Sequence, residues 1–387
     1  MTSPSTALQP FTIDVPDAVL DDLRQRLRRT RWTEQIPGTG WDLGTDVDYL
    51  RGLCAYWADG FDWRAAEARL NRWPHLRTVI DGTTVHALHA RSPHPGAVPL
   101  LLTHGWPGSI VEFGGVIDRL VDPPAYGGDA ADAFHVICPS LPGYGWSGPT
   151  VERGWHVRRI ADAWAQLMTR LGYDRFAAQG GDWGGAITAH LGAYHPDRLF
   201  GIHLNLVPPP PMTRDERANL TPEEIADLDF ARRFAQYETG YQAIQGTKPQ
   251  TLAHALADSP AGLAGWIVEK FRTWSDCDGN VEKAISRDDI LTNITTYWVT
   301  ETIASSIRLY YETRAAGLLG APERQISTPT GAAIFPKEIY RPARAVIARH
   351  YNLQRWTVQP HGGHFAALEQ PELFTADVTA FFRTLRP

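Results

Sequence analysis

Val19, Leu20, Leu23 and Leu27 recur at helical spacing, which predicts an amphipathic helix behind a short extended stretch at Phe11, with Asp17 placed to cap it. A Gly/Pro-rich loop from Pro37 to Gly44 separates it from two further helical stretches, Asp46 to Trp57 and Trp63 to Leu70. From Leu76 the pattern changes. Leu76 to Ile80, the dipeptide Asp81-Gly82, and Thr83 to Leu88 read as a β-hairpin with a tight turn. Short apolar runs follow at Val98 to Thr103, Phe134 to Cys138, Phe176 to Gln179 and Phe200 to Leu206, with helical candidates at His156 to Leu171 and Ala186 to Tyr194 between them. Buried runs alternating with helices indicate a largely parallel sheet covered on both faces, the α/β class.

The alternation stops at Pro208-Pro209-Pro210-Pro211. From Thr213 to about Ala316 the chain reads as helical, with stretches at Glu223 to Tyr237, Gly262 to Trp274 and Ile290 to Leu309. Strand signals return at Ala332 to Phe335 and Arg355 to Val358, and a helix from Pro371 to Leu385 closes the chain. The expected division is an N-terminal arm packed on the core (1–75), the first part of the core (76–210), a helical cap (211–318) and the second part of the core (319–387). A helical block inserted between strands makes a lid over the sheet's C-terminal edge, where α/β folds place ligands.

The 387 residues are 43% apolar and 21% charged, an ordinary globular balance. A net charge of -6 argues against nucleic acid as a partner, because phosphate binding needs a basic face. Cys54, Cys138 and Cys277 are widely spaced, which suits a reducing, cytoplasmic setting without a disulfide framework. Met1 to Pro10 lacks a signal-peptide pattern and no apolar run approaches a membrane span, so no membrane association is expected. Fourteen Trp is high, and Trp106, Trp146 and Trp183 stand beside glycines in loops, where aromatic rings line apolar pockets.

Chemistry concentrates in three segments. Phe176-Ala177-Ala178-Gln179-Gly180-Gly181-Asp182-Trp183-Gly184-Gly185 is strand, sharp turn between small residues, then helix: the setting of a nucleophile elbow with Asp182 at its tip. The blander reading is a Gly-rich turn whose Asp caps the next helix. His104-Gly105-Trp106-Pro107-Gly108-Ser109 ends a buried strand, and its loop can offer the Trp106 N–H, alongside that of Trp183, as an oxyanion hole. Gln359-Pro360-His361-Gly362-Gly363-His364-Phe365 puts His364 on a glycine-flanked loop. An acid is needed between elbow and histidine, and Glu338, after the run Ala332 to Phe335, supplies it; Asp288, Asp289 and Glu301 fall in the cap and fit less well. Gly143-Tyr144-Gly145-Trp146-Ser147-Gly148 matches a dinucleotide fingerprint, but the prolines around it and the missing helix make it a site loop instead. With no His-Glu-x-x-His present, neither metal nor cofactor is expected.

Together these segments, with Phe335-Pro336-Lys337-Glu338 and Gly362-Gly363-His364-Phe365-Ala366-Ala367, resemble the epoxide hydrolases of the α/β-hydrolase superfamily, in the microsomal-type branch with an N-terminal arm. The resemblance spans nearly the whole chain, from Phe11-Thr12-Ile13 to the last helix. It implies an α/β-hydrolase fold, a small-molecule epoxide as the partner, and two cap tyrosines, which map to Tyr241 and Tyr310, with Tyr311 adjacent to the second. It also places His104, Pro107 and Phe365 at the substrate pocket, lacks the membrane anchor of vertebrate members, and is compatible with a homodimer. The Ala- and Arg-rich composition resembles that of actinomycete proteins, and similar enzymes occur in antibiotic pathways, enediyne ones included. Two alternatives stay open: a haloalkane dehalogenase with Trp106 and Trp183 as halide donors, and a ligand-binding relative that has lost turnover.

The residue types suit an epoxide. A serine would form an ether that water cannot readily cleave, whereas a carboxylate forms an ester that water can. In this reading His364, oriented by Glu338, activates the water. The departing alkoxide has a conjugate acid nearly as weak as water, pKa about 15.7. A phenol of pKa about 10 protonates it readily.

Overall fold

The computed structural model describes residues 7–386. Its apolar runs assemble into one sheet: β1 (Gln9–Phe11), β2 (His75–Ile80), β3 (Thr83–Ala90), β4 (Val98–Thr103), β5 (Phe134–Pro139), β6 (Phe176–Gly180), β7 (Leu199–Leu204), β8 (Ile326–Ile334) and β9 (Tyr351–Val358). The strand order is β1-β2-β3-β5-β4-β6-β7-β8-β9. β1, β2 and β3 join antiparallel to one another and to β5; every later pairing is parallel. The fold is that of the α/β-hydrolases. At the β2–β3 hairpin, Asp81 and Gly82 have φ of 49° and 79°, the pair of positive values that an Asp-Gly type I′ turn requires.

Three helices follow β1: α1 (Asp17–Arg28), α2 (Val47–Asp59) and α3 (Trp63–Leu70). α4 (Ile117–Val121), α5 (Val157–Arg170) and α6 (Asp182–Tyr194) connect the central strands. Between β7 and β8 lie α7 (Arg214–Ala218), α8 (Pro222–Tyr237), α9 (Gly240–Gln245), α10 (Pro249–Asp258), α11 (Pro260–Trp274), α12 (Arg287–Val299) and α13 (Ile303–Ala315). α14 (Arg344–His350), α15 (Ala366–Glu369) and α16 (Pro371–Arg383) complete the chain. No helix among the described residues is long and apolar enough to cross a membrane.

Three sequence expectations change. Asp17 does not cap α1; Pro16 holds that position without a side-chain bond, and Asp17 pairs with Arg64 instead. The stretch Ile290 to Leu309 is two helices, because the chain breaks at Glu301, whose φ is 54°. The N-terminal segment braces the inserted helices as well as the core: Trp57 Nε1 of α2 donates to Thr295 Oγ1 (2.9 Å), Thr45 Oγ1, just before α2, to the Gly265 carbonyl (2.7 Å) and Tyr56 of α2 to Asp288 (2.8 Å).

Candidate active site

The turn after β6 carries the central carboxylate. Asp182 adopts φ 50°, a left-handed conformation that costs a non-glycine residue roughly 1–2 kcal/mol. Strain of this kind persists only where its surroundings enforce it. They do so here: a Cβ at Gly184 would collide with the Thr103 carbonyl, so β4 and the first turn of α6 can approach only through glycine. Asp182 is the first residue of α6, where the helix dipole favours negative charge. It does not cap that helix; its Oδ1 accepts from the Trp106 N–H at 2.8 Å, a donor from the β4 loop. Gly105 makes this possible, since a Cβ there would run into the Asp182 carboxylate.

On the other side stands His364. Its Nε2 is 3.4 Å from Asp182 Oδ2, and its Nδ1 is 2.6 Å from Glu338 Oε1, which also accepts from the Ile339 N–H at 2.7 Å. Because Glu338 Oε1 is an acceptor, the Nδ1 proton is fixed toward it and Nε2 faces Asp182. Burial alone would lower the imidazole pKa, but the charge of Glu338 behind it and the carboxylate of Asp182 before it outweigh burial and hold it well above the usual range. Asp288 and Asp289, the weaker acid candidates, are tied to Tyr56 and Arg69, and Glu301 is exposed.

The histidine loop is stitched to the inserted helices. The His364 N–H donates to the Trp274 carbonyl at the end of α11 (2.9 Å), which ties the backbone of the imidazole to the inserted block. The Gly362 N–H donates to Asp276 Oδ2 (2.9 Å). Glu369 secures the same loop: its Oε2 accepts from the N–H groups of Asp276 (2.7 Å) and Gly363 (3.0 Å), and its Oε1 from that of Phe365 (2.9 Å). Burial pushes the Glu369 carboxyl up to about 7 against the pull of these donors.

Above Asp182, Tyr241 from α9 and Tyr310 from α13 share a cavity of about 450 Å³ with Asp182, Trp183, Leu206 and Tyr340. Tyr241 stacks on Trp106, with ring planes 10° apart, and Tyr310 stands edge-on to Trp183. Tyr310 and not Tyr311 lines this cavity. Burial first, and then the negative charges around it, raise both phenols above their ordinary range, so both hold their protons.

The expected pocket residues separate. Phe365 packs edge-on against His364 and stacks on Trp274. Pro107 offers its carbonyl to Asn293 Nδ2 (2.8 Å) and stands outside the cavity lined by the tyrosines. His104 does not face that cavity either. Its Nδ1 is bonded to the Gly105 carbonyl (2.9 Å), and its Nε2 accepts from the Leu141 N–H (3.2 Å). Burial holds its pKa down at about 4, so it is a neutral brace between two loops. Sequence reasoning missed Glu112 and Glu369. Nothing in Ile110-Val111-Glu112-Phe113 or Ala366-Ala367-Leu368-Glu369 distinguishes them from solvated carboxylates. The loop Gly143 to Gly148 lies against α13, with Ser305 Oγ donating to the Gly143 carbonyl at 2.6 Å.

Residues 8–113 match the family model described as epoxide hydrolase N terminus, and residues 98–256 that of the alpha/beta hydrolase fold. The chain is 47% identical to a protein of Stigmatella aurantiaca (strain DW4/3-1) that bears the name "Putative epoxide hydrolase", over 98% of this chain and 86% of that one. Epoxide hydrolase 1 of Oryctolagus cuniculus is 36% identical, over 97% of this chain and 88% of its own length. Among solved structures, juvenile hormone epoxide hydrolase from Bombyx mori superposes with a TM-score of 0.90 at 31% identity, covering 99% of this chain and 96% of that one. The Aspergillus niger epoxide hydrolase gives 0.86 at 33%, covering 99% and 98%.

Proposed function

The chain belongs to the epoxide hydrolases of the α/β-hydrolase fold, and from there we propose that it opens its epoxide through a covalent ester on Asp182. The observation that carries this reading is the strained elbow, which aims Asp182 into the cavity that Tyr241 and Tyr310 line. A tyrosine hydroxyl holds the ring oxygen while an Asp182 oxygen attacks a ring carbon; the carbon–oxygen bond breaks and the phenol passes its proton to the alkoxide. Water, deprotonated by His364, then attacks the ester carbonyl. The Trp106 and Trp183 N–H groups stabilise the resulting oxyanion. Collapse expels the diol's alkoxide, which takes the proton from His364, and the water's second proton returns to the phenol, so that the carboxylate is restored. Glu338 keeps the imidazole oriented and stabilises its charge throughout.

A largely apolar cavity of about 450 Å³ supports a bulky or aromatic epoxide. The Ala- and Arg-rich composition is the support for placing that epoxide in specialised metabolism, such as antibiotic assembly. The dehalogenase alternative has one point in its favour, the buried indole N–H groups of Trp106 and Trp183. Family membership weighs against it.

A single turnover in ¹⁸O-water, with enzyme in excess, tests the ester. The diol should emerge mostly unlabelled, and the label should appear in Asp182. Fully labelled diol in that turnover means direct attack by water and overturns the covalent step. A panel of aryl and alkyl epoxides assayed for diol, with haloalkanes alongside, tests both the substrate class and the rival.

A further inference from the structure

Asp182 also lines a second and much smaller cavity, of about 10 Å³, that neither tyrosine reaches. A single water needs roughly 10–15 Å³ and two to four polar partners. The residues lining this cavity include Asp182, His364, Glu112, Thr103 and Gln179. Two of them leave buried polar atoms without a partner, Thr103 Oγ1 and Gln179 Oε1. Buried polar atoms in a native fold are normally satisfied, so a small polar pocket containing two such atoms is suited to water. Asn205, which accepts from Gln179 Nε2 (2.8 Å), also lines it, and apolar side chains, Phe365 and Phe374 among them, form much of the rest.

Glu112 reaches the site from the short helical turn Ile110–Phe113, and Gly108 leaves room for it. A Cβ at Gly108 would fall on the Glu112 carboxyl. The Ser109 N–H donates to that carboxyl. Loss of hydration pushes Glu112 up to about 8; His364 and the Ser109 N–H pull it down, and Asp182 pushes it further up. At neutral pH it therefore holds a proton, and it can both donate to a water and accept from one.

We infer that this cavity holds the water that hydrolyses the Asp182 ester, and that Glu112 is a positioning residue that fixes the water between His364 and the ester carbonyl. The inference rests on the ester reading. The water gives one proton to His364 Nε2 while its oxygen bonds to the Asp182 carbonyl carbon. The tetrahedral adduct then expels the diol alkoxide, which recovers that proton from His364. The water's second proton leaves the new carboxyl and restores the phenol that protonated the ring oxygen, and the water oxygen stays in the Asp182 carboxylate. Glu112 neither gains nor loses a proton. Its role is to keep the water's lone pair on the line of attack, and misplacement by about 1 Å can cost on the order of 10²-fold in rate.

The experiment separates the two chemical steps. Glu112→Leu and Glu112→Gln are mixed with excess styrene oxide, with His364→Gln as the trapping control, and the ester is followed by intact mass after acid quench. Alkylation in the Leu chain should stay near the wild-type rate, which also establishes that the site is folded. Its ester should decay on the order of 10- to 100-fold more slowly and accumulate. Gln keeps an acceptor and a donor in place of the protonated carboxyl and should recover most of that loss. Unchanged ester decay in the Leu chain, or an equal fall in both steps, overturns the role of Glu112 alone. The absence of adduct even in His364→Gln removes the ester itself, and both readings fall together.

Discussion

Tyr241 lies flat on Trp106, their ring planes 10° apart and centroids 5.5 Å from each other, while the backbone N–H of the same Trp106 donates to Asp182. One residue thus supports the proposed acid of the first step through its side chain and the proposed oxyanion of the second through its backbone. Tyr310 approaches the same indole edge-on at 5.7 Å. The two phenols are therefore set by a shared aromatic surface rather than by separate pockets.

Replacing both Tyr241 and Tyr310 by Phe should slow alkylation far more than either single change, because each phenol can partly stand in for the other. The double variant should lose on the order of 10²–10⁴-fold in the single-turnover alkylation rate. An unchanged rate would leave the tyrosines as no more than a cover and would strengthen the dehalogenase alternative.

His364→Gln should spare alkylation and block ester hydrolysis. Such a chain should consume about one equivalent of epoxide and carry the adduct on Asp182, as seen by peptide mass mapping. Continued turnover at the wild-type rate would remove His364 from the role of base.

The pH dependence has a definite sign. In the resting site His364 is held above its usual range in part by the negative charge of Asp182. Ester formation removes that charge, so the imidazole should release its proton more easily in the ester than in the free enzyme. The ester decay rate should rise with pH as the imidazole deprotonates, then level off, with an apparent pKa below that of His364 in the resting protein. Stopped-flow decay across pH, set against an NMR titration of His364, checks the order of the two values.

Glu369→Gln should loosen the histidine loop. The carboxylate accepts from three backbone N–H groups, at Asp276, Gly363 and Phe365, and an amide must turn its own NH₂ toward at least one of them. Leaving one such buried donor unsatisfied costs about 1–3 kcal/mol. Chemical denaturation should report that loss, and kcat should fall through ester hydrolysis while alkylation holds.

Much of this was legible in the chain. The glycines around Asp182 and His364 announce tight backbone, and the alternation of apolar runs with helices announces the sheet. Glu338 stood out as the acid candidate because it follows the short apolar run Ala332 to Phe335. What stayed hidden was burial. Glu112, Glu369 and His104 look in sequence like surface or site residues, yet their roles depend on which backbone groups the fold brings against them. The break at Glu301 escaped for a related reason: Thr300-Glu301-Thr302 holds neither glycine nor proline, so nothing local marks a left-handed residue there.

The bonds joining Trp274 and Asp276 to the loop of His364 bear on how such enzymes diversify. An insertion hinged only at its two chain ends could be exchanged between relatives as a self-contained module. This one cannot, because its middle is sewn to the backbone that aims the imidazole. A chimaera that imports a foreign insertion to change substrate range must import the matching histidine loop and Glu369 with it. Natural variation in this fold should accordingly collect on the stretches of the insertion remote from that seam.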